Sequence, residues 1–139
     1  MSRKLDKMLC EVREIVSARN DLMRRERMMQ VLPITEFPLF SAIADRISSS
    51  RKMPAYEARV AYVFSAIAVF SPFSLVGQKP PRGLRNKIAE HLCISKGHAS
   101  HEITRVAALA RLDGRLKPLL DDVLQSVLQE ISALNRNVP

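Results

Sequence analysis

Apolar side chains recur at three- and four-residue intervals along most of the chain, and prolines cut that pattern into segments. From Arg3 to Val31, the residues Leu5, Met8, Leu9, Val12, Ile15, Val16, Leu22 and Met23 share one face and predict a long amphipathic helix. Its far end, Arg24-Arg25-Glu26-Arg27, is basic, and Pro33 stops it. Pro38 opens a second helix with Leu39, Phe40, Ile43 and Ile47 on one side, ending at Ser48-Ser49-Ser50. Pro54 opens a third that runs to Phe70, with Val60, Val63, Phe64 and Ile67 inward. Ser71-Pro72 reads as a cap and first residue of a short helical turn. After the basic loop from Gly77 to Gly83, a fourth helix is expected from Leu84 to Leu92 and a fifth from Lys96 to Leu112. Asp113-Gly114 signals a turn. The last helix, Leu116 to Leu134, stacks Leu119, Leu120, Val123, Leu124, Val127, Leu128 and Ile131, and admits Pro118 only in its first turn.

These segments make an all-α fold, a compact bundle of five to six helices, in a single domain over residues 1–139. Residues 1–32 form the long first helix, 33–78 the core helices, 79–112 the basic loop and following helix pair, and 113–139 the last helix. Composition narrows the class. Only 4 Gly and 2 Thr against 16 Leu and 14 Ala argue against an all-β fold. No Gly-rich loop is present to cradle a nucleotide phosphate. Two cysteines exclude a disulfide scaffold and a four-cysteine zinc site. The 19 residues from Val60 to Gln78 carry no charge, enough to span a bilayer. Ser65, Ser71, Pro72, Ser74 and Gly77 interrupt them, so the run reads as a core helix ending at Phe70, with no membrane association expected. The charged start leads into no apolar signal segment, and the expected location is cytoplasmic.

Charge then changes the picture. Lys plus Arg total 22 and Asp plus Glu 14, a net of +8 that suits a polyanionic partner without naming it. The charge is uneven. From Lys79 to Arg111, seven basic residues stand against two acidic ones, a net of +5 in 33 residues. All seven aromatic residues lie between Phe37 and Phe73, so this basic stretch holds none.

Within it, Ile88 to Val106 carries residue types at the offsets a helix-turn-helix needs. Ile88 and Leu92 seat the first helix, and Ala89 is small where the second crosses it. Ile94 fills the angle, and Ser95 can cap the second helix by accepting from a backbone N–H. Ala99, Ile103 and Val106 form the buried stripe, leaving Lys96, Gly97, Ser100, His101 and Thr104 outward. This segment resembles the helix-turn-helix of bacterial transcription regulators, especially the LuxR-type domain and sigma-factor region four. Cys93 stands where those families often have Gly, and Gly97 inside the second helix costs about 1 kcal/mol relative to Ala. The acidic-arginine block that opens a LuxR-type domain is missing before Leu84. The resemblance implies transcription control through double-stranded DNA, with the fifth helix in the major groove. It makes Ser95, Lys96, Ser100, His101 and Thr104 candidate base contacts. The basic residues Lys79, Arg82, Arg85, Lys87 and Arg105 are candidate phosphate contacts, which set register rather than sequence choice.

Other readings are weighed on the same residues. His91, Cys93, His98 and His101 do not have the spacing of a structural zinc site, and no metal or cofactor is expected. No nucleophile–base arrangement is legible, so the chain is not read as an enzyme. The apolar stripe of the first helix is either a homodimer contact or packs on its own domain. The competing function is a helical adaptor that docks on another protein without nucleic acid. A non-specific single-strand or RNA binder is disfavoured, because such proteins stack bases on aromatic rings.

Overall fold

Proline sets most of the helix boundaries. The computed structural model describes residues 2–29 and 31–136, and contains helices α1 (Ser2–Met29), α2 (Phe37–Ser50), α3 (Ala55–Phe70), α4 (Arg82–Leu92), α5 (Lys96–Leu112) and α6 (Leu116–Arg136). Single 3-10 turns occupy Ile34–Glu36 and Pro72–Val76, and no strand occurs among the described residues. Pro38 lies in the first turn of α2, and Pro54 and Pro81 are the N-caps of α3 and α4. Each sits where a helix has no carbonyl for an N–H, so the missing donor is harmless. The all-α bundle expected from the periodicity is therefore present, and the helix boundaries agree to within about two residues, the usual uncertainty of helix ends.

α3 is the central element. Ten of its sixteen residues are buried, on every side of the helix, which marks an interior rather than a surface helix. It packs on α6, α5 and α2. Phe37, Phe40, Tyr62 and Phe70 meet in tilted and edge-on pairs with centroids 5.4–6.5 Å apart, the arrangements aromatic quadrupoles favour. The Tyr62 hydroxyl, 2.7 Å from Ser41 Oγ, has the hydrogen-bond partner a buried phenol needs. α3 ends at Phe70, so the uncharged run from Val60 to Gln78 is split between a core helix and a 3-10 turn. No helix among the described residues is long and apolar enough to cross a membrane.

α6 closes the bundle with Leu120, Val123, Val127 and Ile131 buried and Leu119, Leu124 and Leu128 packed at the margin. α4 is anchored from the side. His91 stacks on the Tyr62 ring at 4.3 Å, and its Nε2 lies 3.2 Å from Asp45 Oδ1. The helix pair α4–α5 is thereby held against α2 and α3.

α1 behaves differently. Leu5, Met8, Leu9, Val12, Ile15, Val16, Leu22 and Met23 are all exposed. The stripe does not pack on its own domain. The helix meets the rest of the chain through its last turns, where the Glu26 carboxylate accepts from the Phe73 backbone N–H at 3.2 Å. Just beyond, the Val31 N–H donates to the Val69 carbonyl at 3.0 Å, and Leu32 is buried.

Candidate nucleic-acid interface

Three residues, Cys93, Ile94 and Ser95, join α4 to α5. Cys93 ends α4 with φ 56° and ψ 45°, in the left-handed region. Its N–H donates to the Glu90 carbonyl at 3.3 Å, and the Ile94 N–H to the Ala89 carbonyl at 3.0 Å. This paired closure satisfies carbonyls the helix end leaves without partners. Ser95 is the N-cap of α5, its Oγ accepting from the His98 N–H at 3.1 Å. Leu84, Ile88 and Ala89 of α4 and Ala99, Ile103, Val106 and Ala107 of α5 are buried, so the two helices share one apolar seam. Leu92 and Ile94 are half-buried at its end.

The other side of the pair is polar and cationic. A cleft of about 310 Å³ lies between the segment 74–80, the first turns of α4 and the face of α5. Lys79, Arg82, Arg85 and Arg111 line it, with Ser100 and Thr104, and no carboxylate does. Arg85 Nε is buried and makes no hydrogen bond among the described residues. Its Nη2 has only a long contact, 3.5 Å, to Asn86 Oδ1. A buried guanidinium donor without an acceptor is unfavourable unless something supplies one. The Thr104 hydroxyl donates to the Ser100 carbonyl at 3.1 Å, leaving its oxygen able to accept. Lys96 and His101 stand exposed at the near end of the same helix. Lys96, Ser100, Thr104 and Arg111 follow one another at intervals of four, four and seven, so the polar face continues along α5.

Two of the basic candidates lie elsewhere. Lys87 is half-buried on α4 and does not line the cleft. Arg105 is on the side of α5 that faces α3. Its Nε and Nη2 donate to both carboxylate oxygens of Glu102 at 3.2 and 2.9 Å, and its Nη1 donates to Tyr56 Oη at 3.0 Å. Its guanidinium also lies 5.5 Å from the Tyr56 ring centroid. The hydrogen bond from Arg105 holds the Glu102 carboxyl below the usual carboxylate range against its partial burial, and Arg59 and His98 add to the effect. The same pairing keeps the Arg105 guanidinium charged, so it is a structural cation with its donors already engaged. Arg111 takes the fourth place in the cleft. The i, i+7 spacing from Thr104 is the signal that points to it.

The histidines also separate. His91 is stacked on Tyr62, and His98 lies 3.4 Å from Arg59 and 3.9 Å from Glu102. No group of three or more potential metal ligands comes together among the described residues. Cys10 and Cys93 are free and exposed. Comparison with protein-family models, with curated proteins and with solved structures finds no match for the chain.

Proposed function

We propose that the protein binds double-stranded DNA and regulates transcription, with α5 in the major groove and the cleft beside it seated on the phosphate backbone. The observation that carries this reading is the cleft. Four cations converge without a carboxylate, and one buried donor has no acceptor of its own. A phosphodiester supplies both the charge and the acceptor oxygens. Lys79, Arg82, Arg85 and Arg111 take phosphates, while Lys96, Ser100, His101 and Thr104 on the adjoining face of α5 read base edges. Ser95 keeps its proton available for a phosphate while its oxygen caps the helix. A bacterial regulator of this kind acts in the cytoplasm.

The test is selection of bound duplexes from a random library at two salt concentrations. The expected outcome is an enriched motif that survives the higher salt, and loss of preference at defined positions in the Lys96→Ala, His101→Ala chain. Binding without enrichment, or no binding at low salt, contradicts the reading.

One observation favours a second reading. The uncovered stripe of α1 suits a helical adaptor that docks on another protein. That reading predicts a defined protein complex from the native cell with no DNA protection.

A further inference from the structure

The eight large apolar side chains of α1 from Leu5 to Met23 are each between 42% and 68% exposed, on a helix of 28 residues. An isolated amphipathic helix with no covering partner is marginal in water. We infer that the partner is a second copy of α1, paired in parallel and in register over Leu5 to Met23.

The heptad register carries the argument. Leu5, Val12, Arg19 and Glu26 fall at one seam position, Met8, Ile15, Leu22 and Met29 at the next, and Leu9, Val16 and Met23 beside them. Parallel pairing stacks each apolar layer on its own counterpart: Leu5, then Met8 with Leu9, then Val12, then Ile15 with Val16. Antiparallel pairing about the middle of the stripe, at residue 14, sets Leu5 against Met23 and Val12 against Val16, but puts Met8 and Leu9 against Asn20 and Arg19. It breaks one apolar layer at each end. Glu26 is in any case held by the Phe73 N–H of its own body, so the seam ends before it.

The flanks agree. Lys4 and Glu11 border the stripe on one side, and Asp6 and Arg13 border it on the other. A parallel pair places Lys4 beside Asp6 of the second copy and Glu11 beside Arg13 of the second copy, and symmetry repeats both contacts. The antiparallel pair instead brings Lys4 beside Arg25. Arg19 is the one charged seam residue between apolar layers, and a single polar seam position fixes register at some cost in affinity.

The area sets the strength. Leu5 to Met23 spans about 28 Å of helix, and the stripe with its charged flanks covers about 500 Å² per copy. The pair therefore reaches the roughly 1,000 Å² at which an interface becomes specific, and no more. An interface this small exchanges with monomer, and we take the micromolar range as the range to test. This inference does not rest on DNA binding, and its test uses no nucleic acid.

Sedimentation of the full chain over a range of concentrations reads it directly. The expected result is a monomer that becomes a dimer across the micromolar range. The Ile15→Glu, Val16→Glu chain should stay monomeric, and its thermal unfolding should match that of the native chain at a concentration where both are monomeric, because these side chains support nothing in the body. Register is read by oxidation of a Val12→Cys chain in which Cys10 and Cys93 are replaced by Ser. Parallel pairing brings the two thiols close enough for a disulfide, and the antiparallel pair offsets them by four residues, about 6 Å along the axis, beyond disulfide reach. A chain that stays monomeric well above the micromolar range overturns the inference. So does a dimer that survives the double glutamate substitution. A dimer that forms without the Val12 cross-link overturns the parallel register.

Discussion

Cys93 adopts φ 56°, a conformation in which a side chain crowds the following carbonyl by about 1–2 kcal/mol. Glycine removes that crowding and loses part of the gain to the greater freedom of its unfolded chain. Cys93→Gly should therefore stabilise the protein by a few tenths to about 1 kcal/mol, read from urea unfolding. Ser95→Ala removes the side-chain acceptor that caps the start of α5 and should cost about 1 kcal/mol, whereas Ser95→Asp should keep most of that capping. Glu102 gives a pH signature. Its folded value lies below its unfolded one, so its stabilisation is complete above the ordinary carboxylate range and disappears as pH falls through the lower folded value. Acid unfolding of the native chain should steepen below about pH 4, and Glu102→Gln should flatten that limb of the curve. The sequence shows the cap at Ser95 plainly, because cap chemistry is local. It does not show that Glu102 is buried, because the partners that permit burial, Arg59 and Tyr56 with Arg105, come from 43 and 46 residues away and from the next turn.

At the scale of elements, the same kind of residue has opposite weight in different helices. Ile88 in α4 is fully buried in the seam with α5, whereas Ile15 in α1 is 68% exposed. Ile88→Ala should cost about 2–5 kcal/mol. Ile15→Ala should stay within about 0.5 kcal/mol when unfolding is measured at a concentration where the chain is monomeric. Both positions read alike in the sequence, each an isoleucine on an apolar stripe. Periodicity reports that a face will be covered and says nothing of what covers it. The prolines, by contrast, are legible one by one. Pro38, Pro54, Pro72, Pro81 and Pro118 each open or begin a helix where the missing N–H is harmless, so the order and bounds of the elements follow from the chain.

Among the described residues, the molecule is a helical body with a cationic cleft and an uncovered first helix. The local charge excess from Lys79 to Arg111 is visible in sequence, but its shape is not. Folding removes Arg105 to the α3 side, leaves Lys87 out of the cleft, and brings Arg111 into the same cleft as Arg82 across 29 positions of chain. The central claim, that this cleft seats DNA phosphates, is tested most directly by the salt dependence of duplex binding. The logarithm of the affinity should fall linearly with the logarithm of salt concentration, and each of Arg82→Ala, Arg85→Ala and Arg111→Ala should reduce the slope by about one. Arg105→Ala should leave the slope unchanged. A slope that none of the three cleft substitutions alters, or that Arg105→Ala reduces as much as they do, contradicts the account.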